Sequence, residues 1–204
     1  MTPKLYYAPG ACSLAPHIVA QETGIPLDLV KVDLASHKTE TGADYYSINP
    51  RGYVPAFDIG QGEPLTEASV VVQYLADQKP NSGILPPAGS IERVRVQQWL
   101  AFIATELHKG FSPLFNPATP ETMKPIILAQ IAKRFTELDK HLSIRSYLTG
   151  EKFTVADAYA FTILNWTTFL KVDLGVYVKL HDYHARIGAR PAVQKALKAE
   201  GLVK

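Results

Sequence analysis

The sequence predicts an α/β domain followed by an all-helical domain, and two observations predict this division. Short strand patterns and helical patterns take turns over residues 4–77, whereas strand patterns are absent from the second half of the chain. The connecting stretch is rich in Pro, Gly and Ser, a composition typical of linkers. We therefore predict an N-terminal domain at residues 1–79, a linker at 80–90 and a helical domain at 91–204.

The first three elements predict a βαβ unit. Residues 4–7 have the pattern of a short strand, and residues 13–22 carry apolar side chains at helical spacing. Residues 27–32 then alternate as a second strand. Because a helix joins the two strands, we expect them to be parallel.

The rest of the α/β domain predicts a hairpin and a second helix. Residues 39–48 carry only a weak helical pattern. A Gly-bearing turn joins a strand at 56–59 to one that begins at Pro64, which predicts antiparallel pairing. A helix follows over 67–77. Its predicted apolar side consists of Val70, Val71, Tyr74 and Leu75.

Three long apolar series predict the main helices of the second domain. They run over residues 96–107, 128–142 and 155–170, with apolar side chains three or four residues apart. Thr154 and Asp157 have the spacing of a capping box at the start of the third helix, and we interpret them as structural. Two shorter helices follow, around residues 180–187 and after Pro191.

Composition excludes several classes of function. The chain has 21 basic and 19 acidic residues without a basic stripe, so we do not expect nucleic acid as a partner. No apolar run reaches the roughly 20 residues of a membrane helix, and the N-terminus lacks the pattern of a secretory signal. The single cysteine, Cys12, excludes an internal disulfide and paired-cysteine zinc sites. We therefore expect a cytoplasmic protein without a metal.

Cys12 lies where a strand turns into a helix, in the run Pro9-Gly10-Ala11-Cys12-Ser13. The unpaired N–H groups of a first helical turn favour a thiolate over a thiol, so Cys12 is a candidate reactive thiol. Its alternative is a small buried apolar residue. The chain has no second cysteine to resolve a mixed disulfide, so an external thiol has to do so, and this fits glutathione.

Two further backbone positions are candidates for binding a peptide ligand. A cis bond between Val54 and Pro55 would turn the Val54 N–H and C=O outward, although a trans bond is the commoner state. The helix that begins near Glu67 offers N–H groups to a carboxylate, and Glu67 offers a partner to an ammonium group. A plain helix cap is the structural alternative there.

Histidines provide weaker candidates. His108 lies on a predicted long helix, where a histidine is more often structural than catalytic. His181 and His184 are three residues apart, but no further ligand is suggested nearby. We therefore expect a solvated pair and no metal site there.

Taken in order, six segments resemble the glutathione S-transferases over essentially the whole chain, and the bacterial beta class most of all. The segments are LYYAPGACSL at 5–14, NPRGYVPA at 49–56, LTEA at 65–68, QYLAD at 73–77, ELHKGF at 106–111 and FTVADAY at 153–159.

The resemblance implies a thioredoxin-like first domain and a cytoplasmic homodimer with a role in detoxification. It also implies that glutathione is a co-substrate whose sulfur attacks small apolar electrophiles. The catalytic residues are then Cys12, His108 and Ser13, the last as an extra donor. The glutathione-binding residues are Tyr53, Val54, Pro55 in cis, Glu67, Ala68, His37, Thr105 and Glu106. Candidates for the second-substrate cleft are Phe111, Leu114, Phe115 and Trp166.

Two positions depart from the family pattern, and two other functions stay open. His37 stands where a lysine is common and Ala101 where an asparagine is common, which predicts weaker or altered glutathione binding. One alternative is thiol–disulfide exchange or reductive dehalogenation through a mixed disulfide at Cys12. The other is a non-catalytic protein that binds glutathione or another ligand.

Overall fold

A mixed five-stranded sheet forms the centre of the first domain in the computed structural model, which describes residues 2–204. The strands are β1 (Lys4–Tyr7), β2 (Asp28–Asp33), β3 (Lys38–Thr39), β4 (Ala56–Asp58) and β5 (Leu65–Thr66). Their order is β3-β2-β1-β4-β5, with β1 and β2 parallel and the other pairs antiparallel. The predicted βαβ unit and the predicted hairpin are both present.

Two helices complete this domain: α1 (Leu14–Thr23) and α2 (Ala68–Asp77). The weak helix expected over 39–48 is wrong. That stretch instead contains the end of the short strand β3 and one 3-10 turn at Tyr45–Ser47, where the Asp44 side chain accepts the Tyr46 N–H. A single turn with its own polar cap is too short to show a helical period in the sequence.

The predicted apolar faces of two helices need correction. Val70 is 47% exposed, whereas Val72 is fully buried with Val71 against the rest of the core. In the second domain Leu128 is 38% exposed and Ile127 is buried in its place. In both helices a neighbouring apolar residue competes for the same face, and spacing alone does not choose between them.

The second domain is helical throughout, as predicted, but its first long helix is not regular. After α3 the backbone continues as a π-helical segment at Ile103–His108, and this segment carries three of the predicted site residues. The helices are α3 (Ile91–Phe102), α4 (Lys109–Phe111), α5 (Lys124–Leu142), α6 (Val155–Leu164), α7 (Trp166–Leu170), α8 (Val178–Gly188) and α9 (Pro191–Ala199).

Helix α6 is buried along its whole length and packs against α1, α2, α3 and α8. The predicted capping box starts it: Oδ2 of Asp157 accepts the N–H of Thr154 at 2.8 Å. The other carboxylate oxygen accepts the N–H of Leu148 and the O–H of Tyr183, both at 2.9 Å. Both oxygens of Asp157 therefore accept hydrogen bonds, as a fully buried carboxyl group requires.

One hydrophobic core runs through both domains, from Leu5 on β1 to Leu197 on α9. Between the two domains, Arg190 forms a bidentate ion pair with Glu22 of α1. The two nitrogen–oxygen distances are 2.6 and 2.9 Å. The domain limits at 79/80 and 90/91 stay a prediction, because the packing is continuous across them. No helix within residues 2–204 is both long and apolar enough to cross a membrane.

His184 is not the solvated residue that its spacing from His181 predicted. Its ring stacks on Phe161 at 4.8 Å and 18°, and Nε2 is buried without a hydrogen-bond partner in the described chain. Burial, with a smaller contribution from His181, lowers the pKa of His184 to about 4. The residues described in the structure contain no group of three side chains able to hold a metal ion.

We predict that His184 makes the fold sensitive to acid. An unfolded histidine takes up a proton near pH 6.5, whereas folded His184 does so only near pH 4. The unfolded state therefore binds more protons between these values, and stability falls as the pH drops from about 6.5 to 4. In urea unfolding at pH 7.5 and 4.5, His184→Leu should remove about 1–3 kcal/mol of this pH-dependent loss.

His181→Leu is the matched control, because the His181 side chain is 58% exposed, whereas Nε2 of His184 is buried. It should keep the pH dependence of the unmodified chain. Equal effects of the two substitutions would contradict a specific role of the buried ring.

Candidate functional site

Cys12 lies in the turn between β1 and α1 and is 9% exposed. Its Sγ donates a hydrogen bond to the carbonyl oxygen of Val54 at 3.0 Å. The Val54–Pro55 bond is cis, as the resemblance implied. The expectation that the Val54 carbonyl turns outward is wrong, because the Cys12 thiol occupies it. The structure nonetheless brings two predicted site positions, 42 residues apart in sequence, into direct contact.

The prediction that Cys12 prefers its thiolate form is wrong. Burial raises the pKa of the Cys12 thiol to about 12, and the charge of Glu67 adds to the increase. The N–H groups of Cys12 and Ser13 and the ammonium group of Lys109 act in the opposite direction but do not compensate for burial. The loss of hydration is the larger effect here, so Cys12 is a neutral thiol near pH 7.

Ser13 is not available as a donor to a ligand. It is fully buried, and its hydroxyl accepts the N–H of Ala8 at 3.2 Å and donates to the Ala8 carbonyl at 3.3 Å. Both capacities of the hydroxyl therefore serve the end of β1, and Ser13 fixes the shape of the turn that carries Cys12.

Glu67 begins α2 with an unusual backbone. Its φ of 66° is in the left-handed region, which residues other than glycine adopt at a cost of about 1–3 kcal/mol. Its carbonyl accepts the N–H groups of Val70 and Val71, so the N–H groups of Ala68 and Ser69 lie ahead of the first helical hydrogen bonds. The Glu67 carboxylate is exposed and lies 3.5 Å from Arg51. A strained residue with free amides beside it is typical of a ligand site.

Gly10 is held by the helical domain at both of its backbone groups. Trp166 Nε1–H donates to the Gly10 carbonyl at 2.8 Å, and Oε2 of Glu200 accepts the Gly10 N–H at 2.9 Å. The second oxygen of Glu200 lies 2.9 Å from Nδ1 of the buried His17. No sequence pattern singled out His17 or Glu200, because their partners are more than 180 residues away along the chain.

His108 lies beside these contacts. Its ring meets that of Trp166 edge to face at 5.0 Å, and Nδ1 is 2.7 Å from the hydroxyl of Tyr159. Burial, and to a lesser extent Lys109, lowers the pKa of His108 to about 4. Burial raises the pKa of Tyr159, and the charge of Glu67 adds to the increase.

His37 and Tyr53 lie at the edge of the sheet domain. His37 has a φ of 51°, and its ring packs on Tyr46 at 4.5 Å with Nδ1 buried and without a hydrogen-bond partner in the described chain. The side chain of Tyr53 is 69% exposed, and its carbonyl accepts the hydroxyl of Tyr45 at 2.8 Å. These contacts fix the loop that leads to Val54.

Thr105 and Glu106 are predicted site residues whose polar groups have partners elsewhere in the helical domain. The Thr105 hydroxyl donates to the Ala101 carbonyl of its own helix at 3.0 Å. Glu106 forms an ion pair with Arg134 on α5. Within residues 2–204, neither side chain forms a hydrogen bond or an ion pair with the Cys12 turn.

The residues predicted to line the second-substrate cleft differ in exposure. Phe111 is fully buried against Phe135 and Trp166, so it belongs to the core. Phe115 is 48% exposed and packs on Trp166 at 5.1 Å. Sequence reasoning missed Phe169, whose ring covers Gly10 so closely that a Cβ there would lie 3.2 Å away. Exposed aromatic rings beside the Cys12 turn suit an apolar ligand.

Comparisons with known proteins agree with this geometry. The family model for the N-terminal domain of glutathione S-transferases matches residues 1–77, and that for the C-terminal domain matches residues 102–191. Glutathione S-transferase GstA of Escherichia coli O157:H7 is 46% identical over 98% of this chain and 99% of that protein.

Two solved structures superpose on nearly the whole chain. One is the Sphingomonad glutathione S-transferase complexed with glutathione, with a TM-score of 0.94 at 46% identity. The other is the bacterial beta class glutathione S-transferase of Sphingomonas chungbukensis, with a TM-score of 0.95 at 45% identity. Each comparison covers 98% of this chain and 100% of the other.

We predict that Ser13→Ala destabilises the fold by about 1–3 kcal/mol, because it leaves the buried N–H of Ala8 without a partner. Denaturant unfolding measures this loss. Ser69→Ala is the control, since the Ser69 hydroxyl makes no hydrogen bond within residues 2–204. A loss of the same size in both variants would refute the assigned role of Ser13.

Proposed function

Because the chain belongs to the glutathione S-transferase family, we propose that the Cys12 turn, Val54 and the start of α2 bind glutathione. The protein is a glutathione transferase of the bacterial beta class, with a thioredoxin-like domain followed by a helical domain. It joins the sulfur of glutathione to electrophilic compounds. What remains to be assigned is which side chains hold the tripeptide and which act on its sulfur.

The hydrogen bond from Cys12 Sγ to the Val54 carbonyl carries this proposal. It joins the turn after β1 to the loop before β4. The charge of Glu67 acts on the Cys12 thiol at this point. A bound tripeptide then extends from Cys12 past the backbone N–H of Val54 toward α2. Tyr53 and Pro55 hold that backbone in place on either side.

The start of α2 suits the γ-glutamyl end of glutathione. That end carries an ammonium and a carboxylate on one carbon. The exposed Glu67 carboxylate pairs with the ammonium, and the free N–H groups of Ala68 and Ser69 receive the carboxylate. Adjacent residues thus offer an acceptor for the ammonium and donors for the carboxylate, which a plain helix cap does not explain.

The reacting sulfur lies between Cys12 and His108 in this proposal. Backbone and side-chain donors there stabilise the glutathione thiolate, and the apolar electrophile lies against Phe115, Trp166 and Phe169. Holding both reactants in one cleft supplies much of the acceleration. No metal takes part.

Cys12 acts as a positioning group and not as the nucleophile. Its pKa of about 12 keeps it a neutral thiol that donates to Val54, and a thiol at neutral pH is a poor attacker of disulfides. This observation favours conjugation over the alternative of thiol–disulfide exchange or dehalogenation through a mixed disulfide.

We predict that Cys12→Ser retains conjugation of a chlorinated nitroarene within about tenfold, because a hydroxyl also donates to the Val54 carbonyl. Any glutathione-dependent reduction of a disulfide should disappear. Cys12→Ala is the matched variant without a donor and should conjugate more slowly than Cys12→Ser. Loss of conjugation in Cys12→Ser equal to its loss of disulfide reduction would establish Cys12 as a nucleophile.

Two further measurements separate the alternatives. Intact mass after incubation with oxidised glutathione shows whether Cys12 accepts the tripeptide, as disulfide exchange requires. Retention on immobilised glutathione without turnover of an electrophile or a disulfide would point to a non-catalytic binding protein.

We also propose that the protein is a homodimer. Val70 on α2 and Ile91 and Val94 on α3 are 47%, 61% and 50% exposed. The two helices are linked by the ion pair of Arg93 with Asp77, so these side chains belong to one region of the surface. Several exposed apolar groups on adjacent helices suit contact with a second copy.

Light scattering during gel filtration should give twice the chain mass of 22.5 kDa. Val94→Asp should shift the protein toward the monomer, because the new charge is desolvated at the contact. Lys133→Asp, at an exposed position of α5, is the control. A monomer for the unmodified chain would rule out the proposed dimer.

Three broader assignments remain part of the proposal. The domain limits are residues 1–79 and 91–204, with the linker at 80–90. The unpaired thiol of Cys12 fits the reducing cytoplasm, and conjugation of apolar electrophiles fits detoxification.

His37 and Ala101 hold glutathione less firmly than a lysine and an asparagine would, since His37 is packed on Tyr46 and Ala101 has no polar side chain.

A further inference from the structure

The contact between His108 and Tyr159 is closer than packing alone requires. Nδ1 of His108 and the Tyr159 hydroxyl are 2.7 Å apart, and the rings meet edge to face at 89°. Tyr159 is 2% exposed, and His108 is the one hydrogen-bond partner of its hydroxyl among residues 2–204. At this distance the nitrogen and the oxygen share one hydrogen bond, so one hydrogen atom lies between them.

Both groups are neutral near pH 7. Burial lowers the pKa of His108 to about 4, and burial together with the charge of Glu67 raises the pKa of Tyr159. Lys109 is the other charged group that acts on His108, and it also disfavours the imidazolium. The pair therefore holds one phenolic hydrogen and one imidazole hydrogen.

Only one arrangement satisfies both hydrogens. If Nδ1–H donated to the phenolic oxygen, the phenolic hydrogen would be buried without an acceptor, which is unfavourable. If the phenol donates to Nδ1, the imidazole hydrogen resides on Nε2. That nitrogen has no partner in the described chain and is not among the buried unsatisfied atoms, so it is accessible to a ligand.

We propose that Tyr159 is a positioning residue of the transferase reaction: its hydroxyl donates to Nδ1 of His108 and fixes the tautomer whose Nε2–H is a neutral donor to the glutathione sulfur. The proposal rests on the proposed function, in which His108 faces that sulfur. Trp166, packed on the His108 ring and bonded to Gly10, keeps this donor in register with the Cys12 turn.

The tautomer can be measured directly in the unmodified protein. Nitrogen-15 NMR of histidine-labelled protein distinguishes protonated from bare ring nitrogens, and His108→Asn identifies the signals of His108 among the six histidines. We expect a protonated Nε2 and a bare Nδ1 at pH 7. A hydrogen on Nδ1 would overturn the proposal, whatever happens to activity.

Kinetics test whether the tautomer matters. Tyr159→Phe should lower kcat for conjugation about tenfold and leave the KM for glutathione within about twofold, since the hydrogen bond that orients His108 is lost. Its His108 signals should show a mixture of tautomers. Tyr183→Phe is the matched control: it removes another buried hydroxyl, the donor to Asp157, and should leave kcat and the His108 signals unchanged.

A double variant decides whether Tyr159 acts through His108. In the His108→Asn background, Tyr159→Phe should have no further effect on kcat, because the group it orients is absent. An unchanged tenfold loss there would overturn the proposal. Full activity of His108→Asn alone would remove His108 from the proposed function, and a hydrogen on Nδ1 would leave that function intact, so the two failures are distinguishable.

Discussion

The site depends on the two backbone polar groups of Gly10, its N–H and its C=O. Its carbonyl is bound by Trp166 and its N–H by Glu200, both from the helical domain, while the next residues of the turn carry Cys12. A φ of 72° and the ring of Phe169, 3.2 Å from where a Cβ would lie, favour glycine at this position. The turn of one domain is thus shaped by side chains of the other, and neither domain has a complete site by itself.

Burial decides the chemistry around that turn. Position at a helix start favours a thiolate, yet Cys12 is a thiol because the loss of hydration outweighs the helix field. The same effect keeps His108 and Tyr159 neutral. A local pattern in the sequence shows where a residue lies along the chain, whereas its ionisation depends on what the rest of the fold packs around it.

This distinction also explains how far the sequence was informative. The strands at 4–7 and 56–58 and the capping box at Thr154 follow from local patterns, and the cis bond between Val54 and Pro55 follows from the family resemblance. Glu200 and Phe169 could not be found, since each acts on Gly10 across more than 150 residues. Ser13 was assigned the wrong role for a related reason. A hydroxyl at a helix start suggests a donor, and only the fold shows that Ala8 already uses it.

A site of neutral donors suits a reaction whose anion arrives with the substrate. The thiol of Cys12, the imidazole of His108 and the phenol of Tyr159 carry no charge near pH 7, so none of the three forms an ion pair with the sulfur. Fixed hydrogen-bond donors in a region of low dielectric stabilise a thiolate without reorganising when it reacts. Because the thiol of Cys12 loses its own proton only near pH 12, it does not compete with glutathione for the electrophile. The burial that makes Cys12 unreactive is therefore what reserves the chemistry for the bound tripeptide.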